Sequence, residues 1–286
     1  MPEDDTTPAG PAGAEPVGEA EAVGEAEAAA EAAGADRGAE APPGTTDGAG
    51  GAARPALPPT TLRAEPVDVH PPTALERTSY AIVRALFLGL AKLYFRLEIR
   101  GAENVPASGP FVLAPVHRSN LDFILVATVR RPRMRYMGKA SIWKWAPLGK
   151  FVSMLGAFPV HRGTADRESL RTCMRVIENG ESLVMFPEGT RKSGPTVDTL
   201  FDGPSYVAAR AGVPLVPVGI GGSDRAMPKG ARYIRPRKIV LVVGEPIVPP
   251  VGEGTGRVQR KVVRQLTEQL HTDIQRLYDE ARAATG

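Results

Sequence analysis

Cysteine is almost missing from this chain: Cys173 stands alone among 286 residues. That excludes an internal disulfide and any cysteine-rich metal site, and it fits a cytoplasmic setting. Large apolar side chains are almost absent from residues 1–72, which are dominated by Ala, Glu, Gly, Pro and Thr. Such a segment cannot bury enough surface to offset the entropy of ordering it. The expectation is a disordered acidic tail over 1–72, with at most a transient helix at 19–33, and a folded domain over 73–286. The acidic start and the lack of an apolar core in the tail argue against a targeting peptide. A long uncharged apolar run is absent as well: the best candidate, 73–97, is interrupted by Arg84 and Lys92. A bilayer span needs roughly 20 mostly apolar residues, so none is predicted there.

Charge is present, but unevenly. Residues 1–72 hold 14 acidic and 3 basic side chains, leaving 18 acidic and 32 basic for the remainder. The small overall charge therefore hides a strongly basic domain behind an acidic tail. A basic domain fits an anionic partner: a phosphorylated metabolite, an anionic membrane surface or nucleic acid. Nucleic acid is disfavoured, because no recognisable binding motif accompanies the basic residues.

From Thr73 to Arg96 the sequence reads as an amphipathic helix. Leu75, Ile82, Val83, Leu86, Leu90, Leu93, Tyr94 and Leu97 fall on one broad face, with Arg77, Arg84 and Lys92 opposite. Two placements remain open for this helix. It lies in a membrane interface, or it packs on the protein's own core with the basic side chains solvated. Further on, apolar strands are predicted at Leu97–Arg100, Phe111–Val116, Arg133–Lys139, Gly156–Val160, Ser182–Phe186, Val213–Ile220 and Ile239–Val243. Pro214 and Pro217 place the sixth at an edge or a strand start rather than mid-sheet. Helices are predicted over Leu121–Val129, Ser141–Leu155, Ala165–Glu178, Tyr206–Ala211 and Gly256–Ala283, and a basic loop over Arg225–Lys238. Strands alternating with helices imply an α/β domain with a largely parallel central sheet flanked by helices. Sites then belong at the carboxyl ends of strands. His117, His161 and Glu188 each follow a predicted strand.

His117 and Asp122 are five residues apart, about 140° on a helix, so they cannot share a helical face. His117 must precede the helix and Asp122 lie in its first turn, where the carboxylate can hold one ring nitrogen and leave the other as a base. An imidazole so held is suited to taking a proton from a hydroxyl near neutral pH. No Ser or Cys has the context of a nucleophile, so the nucleophile is expected to be a substrate hydroxyl. Backbone N–H groups at the helix start are the expected donors to an oxyanion. Arg191, after Glu188-Gly189-Thr190, suits anion binding because glycine permits close backbone approach and a guanidinium grips phosphate in a fork. Arg162 could complete that grip, and Glu188 could orient an arginine or accept from a substrate hydroxyl. His70 and His271 read as solvated or structural.

The motifs carry a family resemblance. Ala114-Pro115-Val116-His117-Arg118-Ser119-Asn120-Leu121-Asp122 resembles the H-x4-D block of the glycerolipid acyltransferases, whose bacterial members include 1-acyl-glycerol-3-phosphate acyltransferases. Gly156 to Gly163, Phe186-Pro187-Glu188-Gly189-Thr190-Arg191 and Val213 to Val218 resemble its second, third and fourth blocks, in order. The resemblance spans roughly residues 74 to 250. It implies transfer of a fatty acyl group from acyl-CoA or acyl-carrier protein to the free hydroxyl of a lysophospholipid such as 1-acyl-glycerol-3-phosphate. It assigns His117 as general base, Asp122 as its orienting partner, and Arg162, Glu188, Gly189 and Arg191 as the acceptor-phosphate site, with no metal and no bound cofactor. The implied setting is peripheral, on the cytoplasmic face of the cell membrane. Two departures leave the acceptor open to another lysophospholipid or lipid alcohol: His161 replaces an acidic or amide residue, and Asp202 stands where a lysine is common. A non-catalytic basic lipid-binding protein is the alternative of another class, although binding alone has no need of the His/Asp pair.

Overall fold

In the computed structural model, which describes residues 72–129, 133–160, 167–250 and 258–286, the first element is helix α1, Ala74–Tyr94. The expected tail and residues 161–166 therefore lie outside the described residues, apart from the last residue of the tail. Thr73 opens α1 with a capping box: its hydroxyl accepts from the Glu76 N–H, and Glu76 accepts from the Thr73 N–H. Two otherwise orphaned donors are satisfied in this way.

The face that α1 turns to the protein is built around Arg84, while Arg77 and Lys92 stay exposed. Tyr80, Arg84 and Ala91 are buried, while Leu75, Ile82, Leu86, Leu90 and Leu93 are between 53% and 83% exposed. The placement of the apolar face on the protein's own core is thereby overturned. Arg84 explains the inversion. Its guanidinium donates to the carbonyls of Ala127 and Thr128, at 3.1 and 2.6 Å, which end helix α2, Asp122–Ala127. It thus caps a second helix with a charge, a favourable arrangement at a C-terminus.

The sheet has seven strands: β1 Glu98–Arg100, β2 Val112–Pro115, β3 Met134–Lys139, β4 Ala157–Val160, β5 Ser182–Val184, β6 Leu215–Gly221 and β7 Val240–Val243. Their order is β1-β7-β6-β2-β5-β3-β4. Every pairing is parallel except β6 with β7. The α/β expectation holds, with one reversal that sends β7 and β1 against the others. The remaining helices are α3 Ala146–Met154, α4 Arg167–Glu178, α5 Gly203–Ala211, α6 Ser223–Ala226 and α7 Arg260–Ala283.

Two local expectations fail for identifiable reasons. The single helix over Ser141–Leu155 is a 3₁₀ turn, Ala140–Lys144, followed by α3. Pro147 sits in the first turn of α3, where its missing N–H costs nothing. Strand β6 is central rather than an edge, and all of it is buried. Pro217 is tolerated because its backbone faces the β7 side, where its carbonyl accepts from Gly244. That is one residue before the antiparallel ladder opens at Val218 and Val243.

Buried strands β2, β6 and β7 centre the core, joined by the apolar stripe of α7: Leu266, Leu270, Ile274 and Leu277. Cys173 is buried on α4. No helix of the described residues is long and apolar enough to cross a membrane.

Candidate active site

Strand β2 delivers His117 at its carboxyl end, and a tight turn carries the chain into α2. Asp122 is fully buried in the first turn of that helix. Its Oδ2 lies 3.1 Å from His117 Nδ1 and also accepts from the main-chain N–H groups of Arg118 and Ser119, at 2.6 and 2.7 Å. A carboxylate only accepts, so the contact calls for the proton on Nδ1 and leaves the Nε2 lone pair for the substrate side. The ring is also stacked on Phe186, with centroids 4.1 Å apart, and its side chain is 14% exposed. The predicted base and its orienter are brought together.

Four of the amides at the helix start, those of Arg118, Ser119, Leu121 and Asp122, are committed to the turn itself. Leu121 is the cap residue of α2, with no side-chain cap bond. Ser119 accepts from the Leu121 N–H and donates to the Met227 carbonyl at 2.9 Å.

Glu188, at the end of the segment following β5, is buried. Both its oxygens are held by Arg118 Nη1, at 2.8 and 2.7 Å. Oε2 also accepts from the His117 N–H and Oε1 from the Asp198 N–H. Its carboxylate faces the interior, and both oxygens are taken up in orienting Arg118 and holding the two main-chain amides. Gly189 is exposed and left-handed, with φ of 70°. That backbone favours glycine, and a Cβ there would lie 2.7 Å from the exposed Phe201 ring, which would have to move aside. Arg191 is half-buried, and its guanidinium has no ion pair or hydrogen bond among the described residues. Arg162 lies outside them.

Sequence reasoning passed over Arg118 and Tyr278. Arg118 is buried, stacks 4.8 Å from the Tyr278 ring and donates to the Tyr278 hydroxyl. Burial works against its charge, but the hydrogen bonds and charge of Glu188 outweigh it and hold the guanidinium above its ordinary range. Tyr278 donates in turn to the Gly194 carbonyl, and burial raises its own phenol. Beside it on α7, Gln275 accepts from the Val197 N–H, and His271 meets the Val197 carbonyl at 3.2 Å. Helix α7 thus pins the loop that follows Arg191, and His271 is structural as expected. Asp202 is also bound to α7, accepting from Thr267 Oγ1 at 2.8 Å. The only available signals were the position of Arg118 beside the histidine and that of the aromatic Tyr278 beside the apolar stripe of α7. Neither spacing announces a site.

The α/β sheet that carries the His117–Asp122 pair and the turn held by Glu188 and Arg118 is an acyltransferase domain: the acyltransferase family model matches residues 96–221. The 1-acyl-sn-glycerol-3-phosphate acyltransferase of Bacillus subtilis is 30% identical over 152 residues, covering 53% of this chain and 73% of that protein. The chain belongs to the 1-acyl-sn-glycerol-3-phosphate acyltransferase family. A chloroplastic relative of the same name from Brassica napus is 31% identical over 144 residues, but the match spans only 42% of that protein and 49% of this chain. The crystal structure of the 1-acyl-sn-glycerophosphate acyltransferase of Thermotoga maritima shares the fold. Its TM-score is 0.59 at 23% identity, over 71% of this chain and 81% of that one.

Proposed function

We propose that the protein transfers a fatty acyl group from acyl-CoA or acyl-carrier protein to the free hydroxyl of 1-acyl-glycerol-3-phosphate, giving phosphatidic acid. The observation that carries this reading is the buried His117–Asp122 contact beside the unengaged Arg191. His117 Nε2 takes the hydroxyl proton as the acceptor oxygen attacks the thioester carbonyl. The tetrahedral adduct then collapses, the C–S bond breaks, and the leaving thiol takes the proton back from the imidazolium. The new ester carries the acyl group. Asp122 fixes the ring and stabilises its charge, as the acid of a hydrolase triad does. Arg191, with Arg162, grips the acceptor phosphate, Gly189 lets it approach, and Glu188 acts at one remove by holding the turn through Arg118. The chemistry needs neither metal nor bound cofactor.

The setting proposed is a membrane interface, with the exposed stripe of α1 entering the bilayer and the enzyme peripheral on the cytoplasmic face. A contiguous apolar stripe of this size on a solvent face marks an interaction surface. Of the two departures that left the acceptor open, Asp202 accepts from Thr267 of α7, and His161 lies outside the described residues.

Purified protein given labelled acyl-CoA and a panel of acceptors is expected to acylate 1-acyl-glycerol-3-phosphate. His117→Ala should lower kcat at least about 100-fold, the scale of general-base catalysis. Unchanged turnover would refute the base. Arg191→Ala should raise KM for the phosphate-bearing acceptor; an equal loss on an uncharged alcohol would remove its phosphate role.

A further inference from the structure

The connection between β6 and β7 carries more positive charge than the reaction uses. From Asp224 to Lys238 it holds six basic residues and one acidic. Arg225 is engaged by Thr285 and Gly286, and Lys238 by Glu98. Residues 232–237 are all exposed. They place Tyr233 and Ile234 between Arg232 on one side and Arg235 and Arg237 on the other. An aromatic and an aliphatic side chain standing in solvent among arginines is the composition of an interfacial segment.

Topology fixes where this loop lies. It leaves the carboxyl end of β6, on the same rim as His117, and because β7 runs antiparallel it returns to the sheet on that rim. β1 is parallel to β7 and enters beside it. The end of α1 and the end of the loop are therefore neighbours, with the Ile239 N–H donating to the Phe95 carbonyl and the Tyr94 hydroxyl to the Ile234 carbonyl at 3.0 Å. Tyr94 closes the exposed stripe of α1, so the apolar surface of the helix continues into the loop. At the loop's root, the Met227 carbonyl accepts from Ser119, inside the His/Asp turn.

We propose that residues 228–238 form a second membrane-contact element, which binds an anionic bilayer. Arg232, Arg235 and Arg237 engage lipid head groups, Tyr233 and Ile234 enter the interface, and the site rim is held against the surface from which acceptor is drawn. The proposal rests on the membrane reading of α1 and adds a separate, charge-selective contact to it.

Vesicle sedimentation of the full chain separates the two. The probes are phosphatidylcholine vesicles with and without phosphatidylglycerol. The triple variant R232Q/R235Q/R237Q should lose roughly 100-fold in affinity for the anionic vesicles, the combined effect of three basic residues near such a surface, while keeping its binding to neutral ones. Its dependence on salt should flatten in parallel. Y233S/I234S should weaken binding to both. Undiminished binding of the triple variant to anionic vesicles would overturn the proposal. So would a raised KM for acyl-CoA with unchanged vesicle binding, because the loop would then serve the donor's phosphates. Failure of the α1 reading looks different: L86S/L90S would bind neutral vesicles as well as the parent does. Retained melting temperatures are expected for all these exposed substitutions.

Discussion

Helices α1 and α7 are the two longest of the described residues, and both are amphipathic, but they face opposite ways. Helix α7 buries Leu266, Leu270, Ile274 and Leu277 against the sheet and leaves its charges in solvent. Helix α1 buries Tyr80 and Arg84 and leaves its leucines exposed. Periodicity states that a helix has two faces, and what decides which one docks is the offer made by the neighbour. Opposite α7 lies a sheet of buried valines and leucines. Opposite α1 lie helix-end carbonyls that need a donor, and also Tyr136, Arg133 and Glu181. Arg133 approaches Glu76 of α1 at 3.6 Å, and Tyr80 and Tyr136 are both buried phenols whose ionisation burial opposes.

The contrast can be tested by substitution on each face. Leu270→Ala, in the stripe of α7, should cost about 2–5 kcal/mol, as large-to-small changes in packed cores do, seen as a lower midpoint in denaturant. An effect below about 1 kcal/mol would deny that this stripe is core. Arg84→Ala should cost about 1.5–3 kcal/mol, the range for hydrogen bonds to charged groups, and should speed hydrogen exchange along α1 while sparing α7. Thr73→Ala should cost about 1 kcal/mol as a lost cap, with faster exchange confined to the first turn of α1. The smallest effect on stability belongs to the double variant Leu86→Ser with Leu90→Ser. It should stay within about 0.5 kcal/mol of the parent, as exposed positions do, and yet lose vesicle binding. If it unfolded the protein instead, those leucines would be core and the inversion false.

Much of the fold was legible because strands such as Val112–Pro115 and Val240–Val243 are short apolar runs between turn residues. The motif blocks also located His117, Gly189 and Arg191 just beyond strands and Asp122 in the first turn of the following helix. What escaped depended on contacts distant in sequence. The docking face of α1 turned on carbonyls 43 and 44 residues away. The place of β6 turned on where the β7 ladder begins. The inward role of Glu188 turned on Arg118, and the hold of α7 on the loop after Arg191 turned on Tyr278, Gln275 and His271. A one-dimensional pattern records a side chain's character but not its eventual partner.

The bond from the His117 N–H to Glu188 closes a loop of 71 residues. Its consequence is temporal. The short turn holding the imidazole looks local, yet its main chain is completed only when β5 has settled beside β2. Bringing distant segments together is the slow part of folding, because closure entropy must be met before any contact rewards it. The turn that holds the imidazole therefore matures no sooner than the β2–β5 pairing, and a chain arrested before β5 docks would have its histidine and aspartate in sequence without the Glu188 bond that fixes their turn.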